Sequence, residues 1–132
     1  MKRDMDLIRE LLLQLEPRPV PATGIEWLAP EACPVAGRST EEIGYHLSLL
    51  EQAGFVDAGG PDVGIRQGVS GIAFRGLSCA GHDFLDSVRN PDVWNKTRKV
   101  ATAVGGMTVQ LLADLAKGFI KRQIEDHTGV KL

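Results

Sequence analysis

The chain has 132 residues, 43% of them apolar and 24% charged, enough apolar material for a packed core and too much for a disordered tail. Fifteen Lys and Arg against seventeen Asp and Glu leave a net charge of −2, so overall charge offers no attraction to nucleic acid or anionic lipid. Two Trp, one Tyr and four Phe are all the aromatics, so the core must rest on Leu, Ile, Val and Ala.

The opening Met1-Lys2-Arg3-Asp4-Met5-Asp6 turns to charge at once and has no apolar h-region, so no signal peptide is expected. The most apolar stretch, residues 100–116, is broken by Thr102, Thr108, Gln110 and Asp114 and by Gly105-Gly106. It falls short of the ~18 uninterrupted apolar residues of a membrane span, and no membrane association is expected. Cys33 and Cys79 form no CxxC pair and read as free thiols in a reducing cytoplasm.

Met5, Ile8, Leu12 and Leu15 recur at helical spacing, widened by Leu7 and Leu11. Glu16-Pro17 ends that helix, because the proline ring disfavours helical geometry in the residue before it. Pro17, Pro19 and Pro21 make an extended connector, and Ile25-Glu26-Trp27 alternates as a short strand within residues 23–29. Residues 30–38 read as a loop. Ser39-Thr40-Glu41-Glu42 is a capping box that starts a second helix, with Ile43, Leu47, Leu50 and Ala53 on its buried stripe. Gly54 is placed to be its left-handed terminator, and Phe55-Val56 begins a strand.

Residues 59–71 hold Gly59, Gly60, Gly64, Gly68 and Gly71 among Val63, Ile65 and Val69, the pattern of a long glycine-rich hairpin arm, with Ile72-Ala73-Phe74 returning to the sheet. Ser78 then caps a helix that turns Phe84, Leu85 and Val88 inward. Asn90-Pro91 opens another, carrying Val93, Trp94, Val100 and Ala101 until Gly105-Gly106. Val109, Leu112, Ala116, Phe119 and Ile120 define the last helix, closed by Gly129.

A helix feeding into a two-stranded arm is winged-helix order. The run His46-Leu47-Ser48-Leu49-Leu50-Glu51-Gln52-Ala53-Gly54-Phe55-Val56 resembles the recognition-helix-to-wing junction of bacterial winged-helix regulators. Before Ser39 the chain departs from them, with a proline-containing loop where they have a further helix. Met1-Lys2-Arg3-Asp4-Met5-Asp6-Leu7-Ile8-Arg9, Tyr45-His46-Leu47, Gly81-His82-Asp83-Phe84-Leu85-Asp86 and Asp92-Val93-Trp94-Asn95-Lys96-Thr97 together resemble one bacterial and prophage-borne family, domain of unknown function 2513. The resemblance covers nearly the whole chain, loosely at 59–71 and at the tail. It implies a small winged-helix-like protein and carries over no catalytic residue.

The fold class expected is therefore α+β: a winged-helix-like domain with a small antiparallel sheet, a glycine-rich wing and C-terminal helices. Residues 1–90 form that domain, and residues 91–132 form a helical extension packed on it, a candidate dimerisation element.

Three constellations invite chemistry. Cys79-x-x-His82 has ligand-like spacing, and Cys33 or His46 could complete a zinc site, but no second paired motif exists. The plainer account puts Cys79 and His82 on the first turns of one helix, the histidine tying it to a backbone carbonyl. Ser78 beside His82-Asp83 suggests a hydrolase, yet adjacent residues point about 100° apart on a helix and no GxSxG turn is present. The glycines of 59–71 match neither GxGxxG nor GxxxxGK[ST]. No enzyme activity, metal or cofactor is expected.

Charge separates the remaining readings. A DNA-binding winged helix sends the start of its recognition helix into the major groove. Here that position holds Glu41 and Glu42, and Ser39 to Gly54 contains no Lys or Arg. The outer face instead carries Tyr45, Leu49 and Gln52, candidates for protein contact. From Pro91 to Leu132 seven cations face four acids. If DNA is bound, Arg66, Lys96, Arg98, Lys99, Lys121 and Arg122 are the expected contacts. The leading expectation is a non-catalytic module that works by protein contact and by homodimerisation through residues 109–124, with a double-stranded DNA-binding regulator as the alternative.

Overall fold

The computed structural model describes residues 1–58 and 70–132. Residues 59–69, where most of the glycine-rich arm and the candidate DNA contact Arg66 are expected, lie outside the described residues.

Helix α1 spans Met5–Leu15 and is started by Asp4, whose carboxylate accepts from the Asp6 and Leu7 amides at 2.9 and 3.4 Å. The expected stripe is all buried: Met5, Leu7, Ile8, Leu11, Leu12 and Leu15. Each such side chain contributes roughly 1.5–3 kcal/mol by leaving water, so α1 is the main apolar anchor of its half of the chain. Strand β1, Glu26–Leu28, follows, then a single 3-10 turn at Pro30–Ala32 inside the stretch read as loop.

Helix α2 spans Thr40–Gln52 and begins with the expected capping box between Ser39 and Glu42. It ends in a Schellman motif: Gly54 N–H donates to Glu51 O at 3.0 Å and Phe55 N–H to Leu50 O at 2.9 Å. That geometry needs a left-handed residue, and Gly54 has φ +74°. The buried stripe holds Ile43, Leu47 and Leu50 as expected, but its fourth and fifth members are Gly44 and His46. Ala53 is exposed, because it is the capping residue where the chain turns away.

Strands β2 (Val56–Asp57), β3 (Ile72–Phe74) and β4 (Gly76–Leu77) complete two two-stranded antiparallel sheets. β3 pairs with β1, Leu28 opposite Ile72 and Glu26 opposite Phe74, and β2 pairs with β4, Val56 opposite Leu77. The chain therefore does double back after Phe55, but the segment that pairs with β2 is Gly76–Leu77 rather than the apolar Ile72–Phe74. Arg75 joins the two pairings, donating its amide to Asp57 O at 2.8 Å.

Helix α3, Cys79–Val88, starts on the corner that ends α2. The Ser78 amide donates to Phe55 O at 3.0 Å, its hydroxyl donates to Gly54 O, and the same oxygen accepts from Gly81 N–H at 3.1 Å. A Cβ on Gly81 would lie 2.1 Å from Phe55 O, so only glycine lets α3 approach this closely.

The chain divides into two compact units, Met1–His82 and Asp83–Leu132. In the second, Asn90 caps α4 (Pro91–Val104) by accepting from the Asp92 and Val93 amides, and Thr108 caps α5 (Val109–Thr128). The two helices pack together across a four-residue connection, the antiparallel arrangement that short loops enforce. Two expectations fail here. Val100 is 38% exposed, and Thr97 occupies the core position instead. On α5 only Leu112 and Ala116 are buried, whereas Val109, Phe119 and Ile120 stay half-buried.

Two stability measurements check this packing. Gly81→Ala should lower the urea midpoint by the equivalent of roughly 1–3 kcal/mol, while Gly76→Ala, with open space around it, should leave it nearly unchanged. Thr97→Val should raise it by about 1 kcal/mol, because the Thr97 hydroxyl is buried with no partner among the described residues.

Candidate interaction surfaces

The first cluster is built by α1 and α2. His46 is 1% exposed, and both of its ring nitrogens are used: Nδ1 lies 2.7 Å from Glu42 O, and Nε2 accepts from the Asp4 amide at 2.8 Å. A carbonyl can only accept and an amide can only donate, so the ring is the neutral Nδ1–H tautomer. Asp4 is fully committed as well. One carboxylate oxygen caps α1, and the other takes Arg38 Nη1 at 2.7 Å. Arg38 also lies 3.5 Å from Glu42, the capping-box acid of α2.

Burial alone would raise the Asp4 carboxyl, but hydrogen bonds from Arg38 and from the Leu7 and Asp6 amides hold it below its usual value. The Ser39 amide, with Arg38 behind it, holds Glu42 low against a smaller desolvation effect. Arg38 is pushed up, mainly by its bond to Asp4.

With its base fixed this way, α2 turns the opposite side outward. Tyr45 is 38% exposed, Gln52 is exposed and Leu49 is half-buried, so the three candidate protein contacts do share an accessible face. Glu41 and Glu51 are exposed too. The cation nearest the helix start, Arg38, is held by Asp4 and Glu42.

The second surface lies on the α4–α5 pair. Lys96 of α4 and Phe119, Arg122, Gln123 and Asp126 of α5 line an open groove of ≈ 330 Å³. Two of the candidate nucleic-acid contacts, Lys96 and Arg122, thus meet. Lys99, Lys121 and Arg98 are exposed on the same two helices without lining it, and the Arg98 guanidinium lies 3.4 Å from Asn95 Oδ1.

His46 has no free lone pair for a metal. Cys33 is buried, its thiol pushed up by desolvation, and Cys79 is exposed. His82 does not reach a backbone carbonyl; its Nδ1 lies 3.3 Å from the Glu16 carboxylate at the end of α1. Among the described residues no three His, Cys, Asp or Glu side chains are grouped to hold a metal. Ser78 spends its hydroxyl on Gly54 O and the Gly81 amide. No helix of the described residues is long and apolar enough to cross a membrane.

Sequence reasoning missed Asp4, Arg38 and the buried role of His46. Two signals were present: Asp4 stands immediately before an apolar stripe, where helix caps stand, and His46 sits three residues after Ile43 on the buried side.

The family model described as "Hypothetical protein (DUF2513)" matches residues 2–108. An uncharacterized protein of Haemophilus influenzae is 37% identical over 117 residues, covering 89% of this chain and 90% of the relative. No solved structure matches the chain. The matched span takes in the His46 cluster, the outer face of α2 and Lys96, and it stops at Thr108, the cap of α5.

The Asp4–Arg38–Glu42 cluster makes stability pH-dependent with a definite sign. Carboxyls depressed in the folded state stabilise above their unfolded values near about pH 4, and that contribution is lost as pH falls through the folded values. Arg38→Met should therefore cost about 1 kcal/mol at neutral pH, allowing for solvent screening of a partly exposed pair. The urea midpoints of wild type and variant should converge as pH falls below the ordinary carboxylate range; an unchanged gap there would exclude the ion pair as its source.

Proposed function

This chain belongs to the DUF2513 family, and on that footing we propose that it is a non-catalytic, winged-helix-like module that works by contacting a protein through the outer face of α2. The order of elements supports the fold reading. A helix, a strand, a short turn, a helix and a strand precede a long connection that ends in a strand paired back to the first. In this reading the 3-10 turn at Pro30–Ala32 stands where a longer helix precedes the recognition helix, α2 is the recognition helix, and the antiparallel pair β2–β4 stands where the strands of a wing stand.

One observation carries the choice of partner. The helix in the recognition position has three carboxylates and no cation between Ser39 and Gly54, and its accessible side presents Tyr45, Leu49 and Gln52. A protein held by six to ten phosphates needs as many cations close by. Tyrosine beside an aliphatic side chain on a cation-free face suits a polypeptide surface. The two free thiols fit a reducing compartment, which supports a cytoplasmic module.

A second reading, duplex DNA held by the C-terminal helices, is favoured by Lys96 and Arg122 lining one groove with Lys99 and Lys121 exposed nearby.

Site-specific photo-crosslinking distinguishes the two. A benzophenone at Gln52 in host cells should give a discrete protein adduct, and the purified chain should not saturate a random duplex below about 10 µM at ~150 mM salt. A nucleic-acid adduct at Gln52, or tight salt-sensitive duplex binding abolished by Lys96→Glu with Arg122→Glu, would overturn the protein-contact reading.

A further inference from the structure

Helix α4 has an exposed outer row that matches the outer row of α2 position by position. On α2, Glu41, Tyr45 and Leu49 recur every four residues; on α4, Lys96, Val100 and Val104 do the same. Both rows advance about 12 Å from first to last residue, on the i±4 ridge that helices use to pack against each other. Val100 is 38% exposed and Val104 69%, unusual for valines on a helix that already buries Val93, Trp94 and Ala101.

The charges are complementary as well. Lys96 shares its groove with Arg122, and neither is ion-paired among the described residues; Asp126 leaves the groove one net positive charge. The start of α2 carries Glu41, exposed, next to Glu42. Aligned in parallel, the rows set Glu41 on Lys96, Tyr45 on Val100 and Leu49 on Val104.

We infer that the partner of the α2 face is a second copy of this chain, bound through the Lys96–Val100–Val104 row of its α4. This rests on the protein-contact reading and names its partner. The two surfaces are different, so each copy carries both halves of the contact, and association closes as a reciprocal dimer or a ring or continues as an open chain. One helix against one helix is a small interface, so the association is weak and concentration-dependent. It differs from the expected pairing of residues 109–124 with themselves in the surfaces it uses.

Sedimentation equilibrium tests it with variants of exposed positions whose helix content is checked by circular dichroism. The wild type should show a weight-average mass that rises above the monomer with concentration. Tyr45→Asp and Val100→Asp should each weaken self-association at least tenfold. Mixed in equal amounts, they retain one intact α2 face and one intact α4 row, and should form a 1:1 dimer that grows no further. As a second arm, Glu41→Lys and Lys96→Glu should each weaken association and the double variant should restore it. A monomeric wild type up to about 500 µM, variants that associate normally, or a mixture that stays monomeric would each overturn the inference. If the wild type is monomeric while Gln52 still crosslinks to a different protein, this inference fails and the protein-contact reading stands. If no protein adduct forms either, both fail.

Discussion

The imidazole of His46 is the piece of chemistry on which the first half of the chain is organised. It sits between a carbonyl of its own helix and the amide of Asp4 and is almost wholly removed from water. Buried polar atoms are tolerable only when paired, and here each ring nitrogen has one partner of the correct polarity. The same Asp4 that donates to the ring caps α1 and binds Arg38, which also approaches Glu42. Packing of the α1 leucines against the rest of the unit supplies most of the stabilisation, because each hydrogen bond adds only about 0.5–1.5 kcal/mol net. The polar cluster does something packing cannot: it fixes the rotation of α2 about its axis, since a turn of one residue would pull Nε2 off the Asp4 amide, while the bond from Nδ1 to Glu42 O holds the ring in place on its own helix.

That rotation decides what α2 shows to the outside. With Ile43, His46, Leu47 and Leu50 turned in, Glu41, Tyr45 and Gln52 must face out. Arg38, the one cation next to the helix start in sequence, is drawn to Asp4 and Glu42 rather than left to project. The acidic character of the outer face of α2 therefore follows from how α1 and α2 are joined. The proposed partner surface on α4 arises differently, from a helix that buries Thr97 where Val100 was expected and so leaves a row of valines outside.

The sequence was legible where a local rule had one outcome. The stripe of α1, the Ser39–Glu42 capping box, Gly54 as terminator of α2, Asn90-Pro91 and the ends at Gly105 and Gly129 all stand as read. It was less legible where a long-range partner chooses among local options. Nothing local distinguishes Ile72–Phe74 pairing with β1 from pairing with β2, and Gly76–Leu77 is too short to announce itself as a strand. His46 and Arg38 are ordinary polar residues until α1 arrives 42 residues away from the histidine's ring. Ser78 illustrates the opposite case, since its reading as a cap was correct while its second bond, to Gly54 O, depends on the tertiary corner. Of the site candidates, Tyr45, Leu49 and Gln52 share an accessible face, and among the described members of the cationic set Lys96 and Arg122 meet at one groove.

The direct measurement of the central joint is the tautomeric state of His46 by long-range proton–nitrogen correlation at neutral pH. Both ring nitrogens should give distinct signals, Nδ1 carrying the proton and Nε2 showing the shift of an unprotonated acceptor, with the Asp4 amide strongly protected from exchange. An Nε2–H tautomer, a motionally averaged ring or a freely exchanging Asp4 amide would mean that the ring does not join α1 to α2 and that the orientation of α2 has another origin.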